Sequence, residues 1–159
     1  MIRVAVLTIS DSCVDGTRTD LSGPAVAERA AALGWQVVHG GVLPDEAERI
    51  SAELARLADS GAVDVALTSG GTGVAARDVT PEATRAAIER EIPGLAEVMR
   101  SEGLKFTRRA ALSRAVAGSR GRCLIVNLPG SPKGATTCAE VVLPVLGHAV
   151  WVATGQPAH

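Results

Sequence analysis

Short apolar segments rich in valine, leucine and isoleucine alternate with helix-like segments along the chain. The apolar segments at 2–9, 35–38, 63–67 and 124–126 are typical of strands buried on both faces of a parallel sheet. Spacing and helix-start signals predict helices at 22–33, 45–60, 81–90, from Pro93 onward, at 131–143 and, after a bend at Pro144, at 148–154. The basic stretch 105–121 has weak periodicity and is either a loop over the site or an irregular strand connection. The alternation predicts an α/β protein with three α/β/α layers and a mainly parallel sheet.

Length and composition limit the classes of function open to the chain. Its 159 residues and 47% apolar content predict one domain, 1–159, with an ample core. The net charge of −1 and the 2% aromatic content argue against a nucleic-acid partner. The apolar stretch 141–153 is interrupted by Pro144, Gly147 and His148, and the N-terminus lacks the layout of a signal peptide. We therefore expect a cytoplasmic protein with no membrane partner.

The cysteines and histidines form no metal or disulfide pattern. Cys13, Cys123 and Cys138 are odd in number and have no C-x-x-C spacing. We predict that Cys123, in a strand-like segment, and Cys138, in a helix-like segment, are small core residues. The histidines have no partner at metal-ligand spacing, so no zinc site is expected.

One strand ends in a loop with three glycines and two hydroxyl residues, Ser69-Gly70-Gly71-Thr72-Gly73. Thr80 and Pro81 then predict a helix start, with threonine at the N-cap and proline at the first position. This order of elements favours a phosphate site, because glycines let backbone N–H groups approach an anion. The loop matches neither G-x-x-x-x-G-K-[ST] nor G-x-G-x-x-G, so the commonest nucleotide motifs do not explain it. A tight turn without a ligand is the alternative.

A second unusual loop runs over Asn127-Leu128-Pro129-Gly130-Ser131-Pro132-Lys133. Ser131 is predicted as a helix N-cap, followed by proline at the first helical position. Lys133 then lies in the first turn, where the helix dipole disfavours a cation unless an anion is bound there. Two interpretations stay open: an anion site that uses Lys133, or an exposed lysine that points away.

A third loop begins at Ser10-Asp11, after the first strand. All three loops follow a strand and precede a helix, so we predict that they meet at the carboxyl edge of the sheet, where α/β proteins bind ligands. Asp78 follows the glycine loop, and a carboxylate beside a phosphate site favours an intervening Mg²⁺. Asp45 is a second candidate ligand. Asp45 with Glu48 is also typical of an N-cap, worth about 1 kcal/mol without any function.

Taken together, these segments resemble the MogA/MoaB family of molybdenum cofactor biosynthesis over nearly the whole chain. The motifs that carry the resemblance are Thr8-x-Ser10-Asp11 with Asp20-x-Ser22-Gly23-Pro24, Pro44-Asp45-Glu46, Ser69-Gly70-Gly71-Thr72-Gly73 with Arg77-Asp78-x-Thr80-Pro81-Glu82-Ala83, Leu112-Ser113-Arg114 with Gly118, and Asn127 to Lys133. The resemblance implies a molybdopterin-binding α/β fold, usually trimeric. It implies transfer of AMP from Mg-ATP to the terminal phosphate of molybdopterin, with release of pyrophosphate. It also implies a separate, MoeA-like partner protein that inserts molybdate.

The resemblance assigns roles to particular residues. The acids that match Asp45 and Asp78 are catalytic, and Asp78, with Asp45 as the second candidate, would hold Mg²⁺. Ser131 and Lys133 are associated with the pterin substrate. The other predicted contacts with nucleotide or pterin are Ser10, Asp11, Ser69, Gly70, Gly71, Thr72, Gly73, Asn127, Pro129 and Gly130.

The implied reaction needs no strong general base, because the attacking phosphate monoester is already anionic near neutral pH, with a second pKa of about 6. Catalysis then rests on positioning and charge neutralisation, to which backbone N–H groups of 70–73 and Lys133 are predicted to contribute. Our hypothesis places the adenylate at loops 8–11 and 69–73 and the pterin phosphate towards 130–133.

Two other functions stay open. A MoaB-like protein would bind molybdopterin or its precursor through similar loops without adenylylation. The domain could instead serve as an oligomeric interaction module, although a chain ending at residue 159 leaves little room for a further domain. The apolar stretch 141–151 suits either core or a subunit interface, and core is favoured for most of it.

Overall fold

The computed structural model describes residues 1–155 as a six-stranded sheet with helices on both faces. The strands are β1 (Arg3–Ile9), β2 (Gln36–Leu43), β3 (Val65–Ser69), β4 (Arg90–Glu91), β5 (Ala117–Arg120) and β6 (Cys123–Leu128). The helices are α1 (Asp11–Val14), α2 (Ser22–Ala32), α3 (Ala47–Asp59), α4 (Thr80–Ala87), α5 (Pro93–Leu104) and α6 (Pro132–Ala153), with a 3₁₀ turn at Arg108–Leu112. The predicted three-layer α/β fold is confirmed. Residues 156–159, which include the histidine His159, lie outside the described part.

The sheet order brings the three predicted loops together. The order is β2-β1-β3-β6-β5-β4, in which β2, β1, β3 and β6 run parallel and β5 pairs antiparallel with β6 and β4. Thr8 of β1 is level with Ser69 of β3, which is level with Leu128 of β6. Because these three neighbouring strands end at the same level, the loops that follow them emerge at one edge, as predicted.

The middle of β1, from Val4 to Leu7, is apolar because each face of the strand packs against a different layer of helices. Val4 lies in a cluster with residues of α2, α5 and α6, whereas Ala5 lies in a cluster with residues of α3 and α4. Cys138 belongs to the first cluster and Cys123 to the second, so both are core residues, as predicted. Burial raises the pKa of the Cys123 thiol to about 12 and that of Cys138 to about 11.

α6 continues without interruption to its end, so the predicted separate helix at 148–154 is wrong. Pro144 has no N–H and removes the usual helical partner of the Glu140 carbonyl. Both residues are exposed, where water can satisfy that carbonyl, while buried Leu143 and Leu146 hold the helix against the sheet. By length and composition alone α6 is apolar enough to cross a membrane, but its packing is that of a core helix.

The edge strands were the parts of the sheet that the apolar pattern predicted least well. β2 continues past its predicted end at Val38, and β4 was not predicted. Most side chains of both strands are at least partly exposed, so no continuous apolar run marks them. The stretch 105–121 contains the 3₁₀ turn, which packs against α5, and β5, so it is both a cover at the site edge and a strand connection.

One of the two predicted serine and threonine helix caps is present. Ser131 caps α6, and its side chain accepts from the Gly134 N–H at 3.1 Å. The cap predicted at Thr80 is wrong, because α4 begins at Thr80 itself and Val79 occupies the N-cap without a side-chain bond. The Thr80 N–H donates to the carbonyl oxygen of Gly71 at 3.1 Å, which draws the threonine into the helix and under the glycine loop.

Candidate active site

The loop after β3 is bonded directly to the loop after β6. Ser69 Oγ donates to the Pro129 carbonyl oxygen over 2.9 Å, and the Gly70 N–H donates to the Leu128 carbonyl oxygen over 3.1 Å. The N–H of Gly70 is therefore engaged within the protein. The prediction that N–H groups of 70–73 contact phosphate is therefore wrong for Gly70, and it stays a prediction for Gly71, Thr72 and Gly73.

Glycine is required where the loops pass closest to one another. Gly70 has a φ of +107°, and a Cβ at this position would lie 2.3 Å from the carbonyl oxygen of Ile9. A Cβ at Gly130 would lie 3.2 Å from the Cα of Gly70. Three chain segments thus approach with no room for a side chain, so the edge of the sheet is a compact backbone surface.

Two cavities lie on either side of the glycine loop. The Phe106 cavity has a volume of about 600 Å³ and lies among α5, the 3₁₀ turn and the start of α6. The Asp45 cavity has a volume of about 540 Å³ and lies between the loop after β1, Asp45 and Arg77. The residues that line both cavities, called the shared wall, are Gly71, Asp78, Gly130 and Ser131. Ligands in the two cavities would meet at this wall.

Asp45 is held by a reciprocal exchange with Asp11 and is not a helix cap. The Asp11 N–H donates to Asp45 Oδ2 over 3.0 Å, and the Asp45 N–H donates to Asp11 Oδ1 over 2.9 Å. Glu46 occupies the N-cap of α3 without a side-chain bond, so the capping interpretation of Asp45 is wrong. The D-x-x-E pattern was misleading because the carboxylate binds a loop distant in sequence. Asp11 itself lines neither cavity, and its contact is with Asp45.

The surroundings of Asp45 favour a cation beside it. Burial raises the pKa of the Asp45 carboxyl group, and the negative charges of Asp11 and Asp78 raise it further. The hydrogen bond from the Asp11 backbone and the positive charge of Arg77 act in the opposite direction. Two acids facing one cavity repel each other, and a bound divalent cation would remove that repulsion.

The oxygen atoms around Gly71 suit Mg²⁺. Asp45 and Asp78 both line the Asp45 cavity. Thr80 Oγ1 is the buried side-chain polar atom without a hydrogen-bond partner in the described part of the chain. A Cβ on Gly71 would lie 2.3 Å from Thr80 Oγ1 and 3.2 Å from Asp45 Oδ1. Residues 1–155 contain no group of three or more His, Cys, Asp or Glu side chains arranged for a metal. Mg²⁺ commonly uses only one or two carboxylates plus substrate phosphates, so this donor set fits it.

The Phe106 cavity combines apolar walls with cationic groups. Met99, Leu112 and Phe106 supply apolar surface, and Arg100 also lines the cavity. Lys133 Nζ lies 5.3 Å from the centroid of the Phe106 ring, a cation–π contact that holds the amine at the cavity. Lys133 therefore does not point away, and the anion-site interpretation is the one that the geometry favours. Phe106 was not among the predicted site residues. Its only signal in the sequence was its position in the basic stretch 105–121.

The remaining predicted residues divide between the two cavities. The Asp45 cavity is lined by Ser10, Ser69 and Gly70. The Phe106 cavity is lined by Thr72, Gly73, Pro129 and Lys133. The hypothesis that loops 8–11 and 69–73 form one subsite and residues 130–133 another matches this distribution only in part, because the glycine loop contributes to both cavities.

Asn127 lies beneath the site and lines neither cavity. Its side chain is fully buried, and its Nδ2 donates to Thr68 Oγ1 at 3.0 Å and to Thr84 Oγ1 at 2.8 Å. Its Oδ1 accepts from the Val116 N–H at 3.0 Å. The geometry therefore gives Asn127 the role of a cross-link between β3, α4 and the segment before β5, in place of the predicted ligand contact.

Arg114 belongs to one of the motifs that carry the resemblance, but no role was predicted for it. Its Nε donates to the Gly73 carbonyl oxygen at 2.7 Å and its Nη2 to the Asp78 carbonyl oxygen at 2.7 Å. Its Nη1 pairs with the Glu82 carboxylate. No local pattern indicates these contacts, because all three acceptors lie more than thirty residues earlier in the chain.

A mainly parallel sheet whose neighbouring strands end in glycine-rich and acidic loops around paired cavities is typical of α/β proteins that bind phosphorylated ligands. Residues 5–148 match the family described as "Probable molybdopterin binding domain". A molybdopterin adenylyltransferase of Helicobacter pylori strain J99 is 39% identical over 157 residues, which are 98% of this chain and 89% of that protein. The molybdenum cofactor synthesis protein cinnamon of Drosophila melanogaster is 44% identical over 151 residues, or 94% of this chain, which spans 25% of that longer protein.

A solved structure has the same fold over its whole length. The molybdopterin biosynthesis enzyme MoaB of Thermus thermophilus superimposes with a TM-score of 0.92 and 52% identity, over 99% of each chain. The chain therefore belongs to the MogA/MoaB family of molybdopterin-binding proteins, and the resemblance of its motifs is confirmed.

Proposed function

We propose that this protein is an adenylyltransferase of molybdenum cofactor biosynthesis. It transfers AMP from ATP to the terminal phosphate of molybdopterin. A phosphate oxygen of the pterin forms a bond to the α-phosphorus of ATP, the bond from that phosphorus to the bridging oxygen breaks, and pyrophosphate leaves. The observation that carries the proposal is the shared wall, where two cavities of suitable size meet beside Asp78. The names of the bacterial relatives support it.

The two cavities suit different substrates. The Asp45 cavity holds the acids that a metal-bound triphosphate needs, so we assign it to ATP. The Phe106 cavity offers apolar surface and an aromatic ring for a flat heterocycle, so we assign it to the pterin. Lys133 and the capped start of α6 lie at its end towards the shared wall, where the terminal phosphate of the pterin would bind.

The residues of this chain act mainly by positioning charge. Asp45 and Asp78 would hold Mg²⁺, which when bound supplies neutralisation of the phosphate charges. The N–H groups of Gly71, Thr72 and Gly73 have no acceptor within residues 1–155 and are available to phosphate oxygens. Lys133 lowers the repulsion that the attacking phosphate meets as it approaches a second anion. No residue has to remove a proton, because the nucleophile is already ionised.

The direct test incubates the purified protein with Mg-ATP and molybdopterin and looks for adenylyl-molybdopterin. We expect the product to form, and to be absent when Mg²⁺ is removed with a chelator. A MoaB-like binder is the second candidate, because the Thermus MoaB is 52% identical to this chain and its name, a molybdopterin biosynthesis enzyme, does not state adenylyl transfer. Intact pterin that stays bound without conversion would contradict the enzyme and support the binder.

Cysteine reactivity tests which cavity takes the nucleotide. Cys13 is half-buried and lines the Asp45 cavity, whereas burial raises the pKa of Cys123 to about 12 and of Cys138 to about 11. Since thiolates are the reactive species, we expect one thiol per native chain to react with iodoacetamide at pH 8, and all three to react after unfolding. Peptide mass spectrometry identifies the site.

Mg-ATP should slow the labelling of Cys13 if the nucleotide occupies the Asp45 cavity. A matched sample with Mg²⁺ and adenosine controls for binding through the nucleoside alone. Labelling that is unchanged at saturating Mg-ATP would contradict the assignment of ATP to this cavity.

We also propose that the protein works as a homo-oligomer, a trimer as in its family, with a MoeA-like partner and in the cytoplasm. In the apolar stretch 141–151, the core residues are Val142, Leu143, Leu146 and Val150. Val145 and Trp151 are 52% and 42% exposed on α6. Val37 and Val38 are 40% and 39% exposed on the edge strand β2. Such surfaces suit burial between copies. Analytical ultracentrifugation should give three times the chain mass, and a monomer at micromolar concentration would contradict the trimer.

A further inference from the structure

Arg114 joins the loop that carries Asp78 to the segment that covers the Phe106 cavity. Its side chain reaches both ends of the loop 73–78, through the carbonyl oxygens of Gly73 and Asp78, each at 2.7 Å. Its own N–H donates to the carbonyl oxygen of Thr72 at 2.9 Å. One residue therefore fixes the main chain of the loop at three points.

Within residues 1–155, the other hydrogen bonds of this loop are local. The Asp78 N–H donates to the Ala75 carbonyl oxygen at 3.0 Å, and the Ala75 N–H donates to Asp78 Oδ2 at 3.0 Å. These bonds shape the turn but do not attach it to the rest of the protein. The position of the Asp78 carboxylate relative to the shared wall therefore depends on Arg114.

The residues next to Arg114 in sequence line the Phe106 cavity, as Gly73 and Asp78 do. Leu112, Ser113 and Ala115 all line the Phe106 cavity. A shift in that wall, as on binding a ligand, would be transmitted by the backbone at 113–115 to the guanidinium and so to Asp78. Arg114 thus links the segment 112–115 of the Phe106 cavity to the loop that carries Asp78.

We propose that Arg114 is a positioning residue that holds Asp78 in register with the other residues of the shared wall and couples it to the segment 112–115. The proposal rests on the proposed adenylyl transfer for its effect on rate. The planar guanidinium donates in several fixed directions at once, which a lysine ammonium cannot reproduce at three separate acceptors. It also engages the carbonyl oxygens of Gly73 and Asp78, which would oppose phosphate binding if they faced the substrates.

A simpler role would be an ion pair with Glu82 that stabilises the start of α4. The Arg114 hydrogen bond and charge lower the pKa of the Glu82 carboxyl group. Both side chains are partly exposed, however, at 36% and 52%. Exposed ion pairs contribute only about 0–1 kcal/mol, so loss of this pair alone should have little effect.

Four variants separate the two roles: Arg114→Ala, Arg114→Lys, Glu82→Gln and Arg120→Ala. Arg120 is the matched control, because it makes three hydrogen bonds from Nε, Nη1 and Nη2, to Asp59 and Ala87, and its side chain is 28% exposed. We expect Arg114→Ala to lower kcat roughly 10²-fold, as a misplaced catalytic group does, with a much smaller change in KM for molybdopterin. Arg114→Lys should remain defective, and guanidinium ion should partly restore Arg114→Ala.

Glu82→Gln and Arg120→Ala should both keep kcat within about threefold of the wild type, as expected for exposed pairs. The proposal is overturned if Glu82→Gln reproduces the loss seen in Arg114→Ala, or if Arg114→Ala behaves like Arg120→Ala. Full activity of Arg114→Lys would also overturn it, because charge alone would then suffice.

Hydrogen exchange tests the positioning role independently of turnover. The hydrogen-bonded amide protons of Ala75 and Asp78 should exchange faster in Arg114→Ala than in Arg120→Ala, at equal Tm. If the wild type forms no adenylyl-molybdopterin, the proposed function fails while this measurement still decides the role of Arg114. Equal exchange in the two variants would show that Arg114 does not hold the loop.

Discussion

Asp78→Asn is expected to lower adenylyl transfer by roughly 10²–10³-fold while molybdopterin binding changes little. The amide keeps an oxygen that can accept from the Ala75 N–H, now at 3.0 Å from Asp78 Oδ2, so the turn should persist. What is lost is the negative charge that would hold Mg²⁺ against the triphosphate. Rates of product formation and fluorescence titration of the pterin measure the two effects separately.

Asp59→Asn is the control for removing one carboxylate. Asp59 is 60% exposed and pairs with Arg120, away from both cavities. It should retain wild-type transfer. If Asp78→Asn loses pterin binding and transfer together, Asp78 is structural and the metal role assigned to it is wrong.

Gly71→Ala should destabilise the protein far more than Gly61→Ala. The two glycines have nearly equal φ values, +68° and +69°, so each alanine costs about 1–2 kcal/mol of backbone strain. Gly61 has open space for a methyl group, whereas a Cβ on Gly71 would lie 2.3 Å from Thr80 Oγ1. This overlap should add about 1–3 kcal/mol to the loss in the free energy of unfolding. Urea denaturation of the two variants measures the difference.

A second substitution should relieve the overlap. Thr80 Oγ1 has no hydrogen-bond partner within the described residues, so Thr80→Ala removes the clashing atom without breaking a bond of the protein. We expect the variant with both Gly71→Ala and Thr80→Ala to recover much of the added loss, as contacting residues do in a double-mutant cycle. Equal stability of Gly71→Ala and Gly61→Ala would contradict the close packing of the glycine loop on α4.

The parts of the fold that were predictable are those fixed by burial on both faces. β1, β3 and β6 are apolar because helices cover them on each side, and that pattern is visible in a single sequence. β2 and β4 lie at the edges, where one side of the strand has no partner and the apolar signal weakens. Pro144 predicts a bend because a proline inside a helix removes a backbone hydrogen bond, but it lies on the exposed side of α6 and the helix continues through it.

The site was predictable where chemistry follows a strand end and not where it depends on distant contacts. The glycine loop and the Ser131 cap stand out locally, and both lie at the shared wall. Asp45 carries the pattern of a cap, and only its contact with Asp11 distinguishes its role. Asn127 and Arg114 are satisfied by residues far along the chain, so their functions become visible only in three dimensions.

The central claim is that AMP, and not another part of ATP, moves to the pterin. The measurement is the fate of phosphorus label in single-turnover reactions with molybdopterin and Mg²⁺. ATP labelled at the α-phosphate should transfer its label to the pterin product, while ATP labelled at the γ-phosphate should release its label as pyrophosphate in equal amount. Label from the γ-phosphate on the pterin, or pyrophosphate release without α-label on the pterin, would contradict adenylyl transfer by this protein.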